Sequence, residues 1–219
     1  MKLFIDTADD QLIQKWVATG LVDGVTTNPT TLSKQSAAPS TLIKNICALL
    51  PEGIVSVEIT EQEPKAVYEQ AVRIAAIAEN VVVKIPCAVQ YYPVIDQLVK
   101  REISINITLI FSVAQATMMA KLGVEMVSPF VGRLDDSGAN GIQMLTDICT
   151  VYEIFSYDTA VLAASIRSVQ KFEQALLAGA DAVTVPVQVL EGMTQHILTD
   201  KGMQSFDEDW KKAGIRQFP

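Results

Sequence analysis

The feature that most restricts this chain is a repeated alternation of short runs rich in β-formers with longer runs of helical spacing. Candidate strands lie at Lys2–Asp6, Gly24–Thr27, Val55–Ile59, Val81–Ile85, Ser104–Ile107, Met126–Pro129, Ala160–Ala164 and Ala182–Val185. Candidate helices lie between them at Ala8–Thr19, Ser40–Leu49, Pro64–Ala78, Val94–Arg101, Ser112–Leu122, Gly138–Ile154 and Val169–Ala178, with a further helical stretch from Val187 onward. A strand followed by a helix returns to the sheet in the same direction, so the alternation favours a parallel sheet covered by helices. Eight such units fit a compact (β/α)8 TIM barrel, with an open doubly wound sheet as the alternative. Gly20, Gly123 and Gly179 follow helical runs where a left-handed residue is wanted, and Ser112 stands where an N-cap is wanted. The last run, Phe206–Ala213, carries Trp210 among charges and reads as a C-terminal helix, either on the surface or docked on a neighbour.

Composition narrows the class further. A chain of 219 residues, 49% hydrophobic and 19% charged, can bury one sizeable core, so one domain over residues 1–219 is expected. Its apolar runs, such as Ile74–Ala78 and Val81–Val83, are far shorter than the roughly 18 residues of a membrane span. The start, Met1-Lys2-Leu3-Phe4-Ile5-Asp6, lacks the apolar stretch and cleavage site of a signal peptide, so a cytoplasmic protein is expected. Cys47, Cys87 and Cys149 are odd in number and scattered, which suggests reduced, mostly buried thiols. With His196 as the only histidine, His-based triads and multi-His metal centres are improbable. A net charge of −8 argues against nucleic acid as a partner, and an anionic ligand would need a local cationic pocket.

In a barrel, chemistry collects at the carboxyl ends of the strands. Here polar residues close almost every strand: Asp6, Thr26 and Asn28, Glu58, Lys84, Asn106 and Thr108, Ser128, and Ser165. Period-two spacing puts Asn106 with Thr108, and Ser128 with Phe130, on shared faces. Lys84 is the sharpest signal. Within Val81-Val82-Val83-Lys84-Ile85-Pro86 an ammonium loses hydration, which favours the neutral amine that attacks carbonyls. A lone lysine there could instead snorkel to water, and Asp6 or Glu58 alone could cap a turn or pair with a lysine. Together at successive strand ends they point to catalysis. In Thr26-Thr27-Asn28-Pro29-Thr30, Pro29 keeps Asn28 extended and Thr30 is placed to open a helix. Arg133 and Arg167, just beyond the sixth and seventh strands, are candidates for gripping a phosphate, with the Ser165 hydroxyl beside them. The competing reading is a surface salt bridge, for example between Arg133 and Asp135 or Asp136.

At this point nearly the whole chain resembles the transaldolase family, in the short-chain branch that also holds fructose 6-phosphate aldolases. The resemblance rests on Phe4-Ile5-Asp6-Thr7-Ala8, Gly24-Val25-Thr26-Thr27-Asn28-Pro29, Val82-Val83-Lys84-Ile85-Pro86 and Asn106-Ile107-Thr108-Leu109-Ile110-Phe111-Ser112. It continues through Val127-Ser128-Pro129-Phe130-Val131-Gly132-Arg133, Ala163-Ala164-Ser165-Ile166-Arg167 and Ala182-Val183-Thr184-Val185-Pro186, in order and at matching spacing. It implies a TIM barrel in which Lys84 forms an imine with a ketose C2 carbonyl and Asp6 is the acid–base group. Glu58 and Thr108 would hold a water, while Asn28, Asn106 and Ser128 would position hydroxyls. Arg133, Ser165 and Arg167 would bind phosphate. No cofactor is implied. The implied reaction converts sedoheptulose 7-phosphate and glyceraldehyde 3-phosphate into erythrose 4-phosphate and fructose 6-phosphate, in the non-oxidative pentose phosphate pathway. Relatives form decamers, so a homo-oligomer is implied.

The run Cys87-Ala88-Val89-Gln90-Tyr91-Tyr92-Pro93 departs from the family pattern just after the lysine motif. Two rivals stand beside the transaldolase reading. A fructose 6-phosphate aldolase would use the same lysine and release free dihydroxyacetone; Glu58 and Phe130 argue against it, since aldolases of the family tend to carry Gln and Tyr there. A non-catalytic sugar-phosphate-binding barrel would leave Lys84, Asp6 and Glu58 together without a reason.

Overall fold

The computed structural model describes residues 1–214. Its eight strands are β1 (Lys2–Asp6), β2 (Gly24–Thr26), β3 (Ile54–Glu58), β4 (Val81–Pro86), β5 (Ile105–Ile110), β6 (Met126–Pro129), β7 (Ala160–Ala163) and β8 (Ala182–Val185). They pair in sequence order, all parallel, and β8 closes on β1, so the sheet is a closed barrel and the open-sheet alternative falls. The helices are α1 (Asp10–Val17), α2 (Pro29–Leu32), α3 (Pro39–Leu49), α4 (Pro64–Ala75), α5 (Tyr92–Val99) and α6 (Val113–Lys121). They continue as α7 (Val131–Asp136), α8 (Gly141–Phe155), α9 (Val169–Leu177), α10 (Val187–Met193) and α11 (Ile197–Ala213). No helix among the described residues is long and apolar enough to cross a membrane.

The apolar residues divide into two clusters, and the division follows from the two faces of a strand. The larger one joins outward-facing strand residues such as Ile5, Val25, Val57, Val83, Ile107 and Val127 to the inner stripes of the helices, for example Ile13, Ile46 and Ile148. The smaller one, Phe4, Met126, Leu162 and Ala182 with Ile54 and Ala160 packed against it, fills the barrel itself. Two residues further along the strands the inward positions turn polar: Asp6, Thr26, Ser56, Lys84, Asn106, Ser128 and Thr184. An apolar plug therefore supports a polar tier at the carboxyl end.

Differences from the sequence reading are local and have local causes. Of the short helices α2 and α7 the sequence reading offered only Thr30 as a start for the first, because each begins within three residues of a strand end and is too short to show a period. Asn28, not Thr30, caps α2: its side chain accepts from the Thr31 N–H at 2.9 Å and the Thr31 hydroxyl accepts from its own N–H at 2.9 Å, with Pro29 at the first helical position. Gly138 lies in a turn at φ +84°, so α8 begins at Gly141 behind the Asn140 cap. α11 starts at Ile197, where the His196 ring nitrogen accepts from the Leu198 N–H, well before Phe206. β5 runs on to Ile110 because it bulges. It pairs Ile107 with Val127 and next Ile110 with Pro129, so three residues on β5 span two on β6.

The plug leaves no room at Gly24. A Cβ there would meet the Phe4 ring at 2.7 Å and the Ile54 carbonyl at 2.8 Å. Gly24→Ala is expected to destabilise the barrel by about 1–3 kcal/mol through overpacking, read as a lower urea midpoint; an unchanged midpoint would mean that the Phe4 plug yields.

Candidate active site

In a parallel sheet, residues at the same register point to the same side. Glu58 is in register with Lys84, and Lys84 with Asn106, so the three side chains are delivered side by side into the polar tier. Lys84 is only 5% exposed. Its Nζ stands 3.1 Å from Glu58 Oε2 and donates to the Thr27 carbonyl at 3.4 Å. A carboxylate and a carbonyl thus stand in for the water the ammonium has lost.

Asp6 occupies the same tier from β1. Its Oδ1 accepts from the Thr26 hydroxyl at 3.0 Å and, at 3.5 Å, from the Asn28 amide. The Thr26 hydroxyl also lies 2.7 Å from that of Thr184. One hydroxyl carries one proton, so when Thr26 donates to Asp6, Thr184 donates to Thr26. Burial pushes the Asp6 carboxyl above the ordinary carboxylate range, while the Lys84 charge, the Thr26 hydrogen bond and the Lys34 charge each pull it back.

Above this tier opens a cavity of about 660 Å³. Of the residues expected at a site, Asp6, Asn28, Glu58, Lys84, Thr108, Phe130 and Arg133 line it. Thr108 is fully buried and its hydroxyl has no hydrogen-bond partner among the described residues, an orphaned polar group in the cavity wall. Phe130 meets Phe111 edge-on at 5.9 Å and carries the Arg133 guanidinium 4.9 Å from its ring centroid.

The other expected residues do not line the cavity. Thr26, Asn106 and Ser128 lie buried and bonded in the tier itself: the Ser128 hydroxyl donates to Asn106 Oδ1 at 2.7 Å, and the Asn106 amide donates to the Ser56 hydroxyl at 3.0 Å. Ser165, at φ +60°, offers its carbonyl to the Gly132 N–H at 3.1 Å. Arg167 pairs with Asp136, and Asp135 pairs with Lys171, so the surface salt bridge falls to Arg167 and not to Arg133. A Cβ on Gly132 would come within 2.2 Å of the Ser165 carbonyl and 3.1 Å of Arg167 Nε, so a glycine is needed where α7 crosses the end of β7.

Sequence reasoning passed over Ser56 and Thr184, the hidden partners of Asn106 and Thr26, although Ser56 stands two positions and Thr184 one position before the end of its strand. It also missed Lys34, Gln35 and Gln188, which line the cavity from loop and helix positions with no strand-end signal. Among the described residues no group of three or more His, Cys, Asp or Glu side chains is placed to hold a metal ion.

The raised Asp6 pKa has a consequence for stability. Below the unfolded value, about 3.9, both states are protonated. As pH rises through the window between that value and the raised folded one, the unfolded chain ionises first, so this group makes the protein less stable with rising pH. Asp6→Asn should lack that contribution. Lys84→Met, which removes the largest opposing charge, should move the Asp6 titration still higher. Carboxyl-carbon NMR checks both; an Asp6 that titrates in the ordinary range in either protein would contradict the burial argument.

Residues 3–217 match the family described as Transaldolase/Fructose-6-phosphate aldolase. The chain is 46% identical over 214 residues to a protein of Dehalococcoides mccartyi named "Probable transaldolase", covering 97% of this chain and 99% of that one. It is 42% identical to a protein of the same name from Bartonella quintana, covering 98% of each. Among solved structures it is similar in fold to thiamine phosphate pyrophosphorylase from Pyrococcus furiosus, with a TM-score of 0.57 at 16% identity over 84% of this chain and 85% of that one. A flavocytochrome b2 with sulfite bound gives a TM-score of 0.61 at 12% identity, over 85% of this chain and 56% of that one. At those identities the structures speak for the barrel alone, whereas the sequence matches run the length of the chain. This chain belongs to the transaldolase/fructose-6-phosphate aldolase family.

Proposed function

We propose that the protein is a transaldolase, which moves a dihydroxyacetone unit between sugar phosphates through an imine on Lys84. The observation that carries this reading is the buried Lys84–Glu58 pair at the floor of a cavity also lined by Asp6 and by Thr108, whose hydroxyl has no partner among the described residues. The Lys84 ammonium first passes a proton to Glu58, and the neutral amine adds to the ketose C2 carbonyl. Loss of water, oriented between Glu58 and Thr108, leaves a protonated imine. Asp6, as carboxylate, takes the proton from the C4 hydroxyl; the C3–C4 bond breaks and its electron pair enters the imine, giving an enamine and releasing an aldose. The enamine attacks the aldehyde of a second aldose while Asp6 returns the proton, and hydrolysis frees the new ketose from Lys84.

Asn28 suits a positioning role, because its carbonyl oxygen is fixed by the α2 cap and its amide faces Asp6. Asn106 and Ser128 act beneath the cavity by holding the polar tier. Arg133 meets the substrate phosphate, and Ser165 and Arg167 join it: the Arg167–Asp136 pair is more than half exposed on both sides, so an arriving phosphate displaces the carboxylate at a cost of about 1 kcal/mol or less. The substrates are those of the exchange between seven-, three-, four- and six-carbon sugar phosphates. A cytoplasmic setting suits the three free cysteines.

Borohydride added during turnover of fructose 6-phosphate should leave a reduced three- or six-carbon adduct on Lys84. Erythrose 4-phosphate should then draw the fragment into sedoheptulose 7-phosphate faster than free dihydroxyacetone accumulates. An adduct mapped elsewhere would remove Lys84 from its role, and release as fast as transfer would make the protein an aldolase.

The proposal extends to assembly. Met203, Phe206 and Trp210 recur at three- and four-residue spacing on α11 and are exposed, Phe206 at 76%, which suits a helix that docks on a second copy of the chain. Light scattering should find a homo-oligomer, with a decamer as the size suggested by resemblance. Phe206→Asp should shift the population to smaller species; an unaltered mass would place the interface elsewhere.

A further inference from the structure

Two cations line the cavity without an ion pair among the described residues, Lys34 and Arg133. The remaining ionisable groups there are Lys84 with Glu58, which offset each other, and Asp6. The cavity of a chain with net charge −8 therefore holds three cations against two carboxylates. Lys34 is not on a drifting loop. The Asn28–Thr31 cap fixes the start of α2, and the Ser33 and Gln35 N–H groups donate back to the Pro29 and Leu32 carbonyls on either side of it. Its segment follows β2, whereas Arg133 follows β6, the strand four places away in a ring of eight. Arg167, the other cation expected at an anion, is turned to Asp136 and does not line the cavity.

We propose that Lys34 is a specificity-determining residue for anionic substrates: its ammonium binds a phosphate oxygen of the sugar phosphate held on Lys84, from the rim opposite Arg133. The inference rests on the imine reading above for the position of the sugar, and adds the residue that selects its charge. A lysine suits the task because its compact charge on a flexible stem follows a phosphate whose distance from C2 changes with sugar length, where a planar guanidinium demands one geometry. The Lys34 charge is also felt at Asp6, which places it within the electrostatic reach of the reacting groups.

The test compares wild type with Lys34→Ala and Lys34→Arg, using fructose 6-phosphate and unphosphorylated fructose as donors and inorganic phosphate as a binding probe. Lys34→Ala should raise KM for fructose 6-phosphate about three- to tenfold, the range for a charged contact at a partly exposed site, with kcat changed by less than about twofold. KM for fructose should stay as in wild type, and inorganic phosphate should bind more weakly by the same factor as for fructose 6-phosphate. Lys34→Arg should recover most of each loss. An equal rise for both donors, or a KM and a phosphate affinity that do not move, would overturn the proposal. Phosphate binding needs no turnover, so a Lys34-dependent affinity in a protein that forms no borohydride adduct would sink the imine reading and leave the anion contact standing.

Discussion

A lysine that is 5% exposed inside a β-barrel needs its charge answered before the barrel can close, and the Glu58 carboxylate on the adjacent strand does this. Removing one partner of such a pair strands the other charge in a medium that solvates it poorly. The arrangement depends on register. Glu58 meets Lys84 because β3 and β4 pair from Val55–Val81 onward without a slip, and a one-residue shift of either strand would turn its side chain into the helix layer, away from its partner. Barrel closure and the site are therefore the same constraint at two scales. The Phe4 plug below and the polar tier above come from a single alternation along each strand.

Much of this was legible in the residues. Eight strands appeared near their observed places because buried parallel strands are short, apolar and bounded by helical runs, and β1, β6 and β8 match at both ends. Lys84, Asp6, Glu58 and Thr108 stood out because each is polar at the end of an apolar strand. Hidden from that reading were interactions that the sequence encodes only through closure. Thr26 bonds to Thr184 across 158 positions, and Asn106 reaches Ser56 across 50. Nothing local to Asn106 or Ser128 says that the Ser128 hydroxyl donates to Asn106 and the Asn106 amide to Ser56. In the same way Arg133 and Arg167 look equivalent in sequence, and only the crossing of α7 over β7 separates the cation that faces the cavity from the one that faces Asp136.

Regularity fails where the barrel meets the cavity. Leu109 at φ +58° and Ser165 at φ +60° are non-glycine residues in the left-handed region, both just past the carboxyl ends of inward-facing positions. For a residue like leucine that backbone is costly and persists only where surrounding structure enforces it. The β5 bulge supplies the enforcement. By adding a residue between Ile107 and Ile110 it lets both Thr108 and Leu109 line the cavity, where strict alternation would have sent Leu109 outward. The strain at β5 thus sits beside the Thr108 hydroxyl, which has no partner among the described residues, and the departure from alternation is also why sequence periodicity ended this strand at Ile107.

The electrostatics follow the same division between global and local. An overall charge of −8 repels sugar phosphates at long range, yet within a Debye length of about 8 Å at physiological salt the nearby charges dominate. Lys34 and Arg133 stand at the mouth without ion pairs among the described residues, while Arg167 is held by a surface carboxylate that an anion can replace. Deeper in, the positive charge of Lys84 is matched by Glu58 and the Asp6 carboxyl is biased toward its protonated form by burial. Charge therefore runs from unpaired cations at the rim to a near-neutral floor. On the proposed reading a phosphate would be held at the entrance and kept from the floor, where a second full negative charge would find no partner and where the neutral carbonyl end of the sugar would face Lys84.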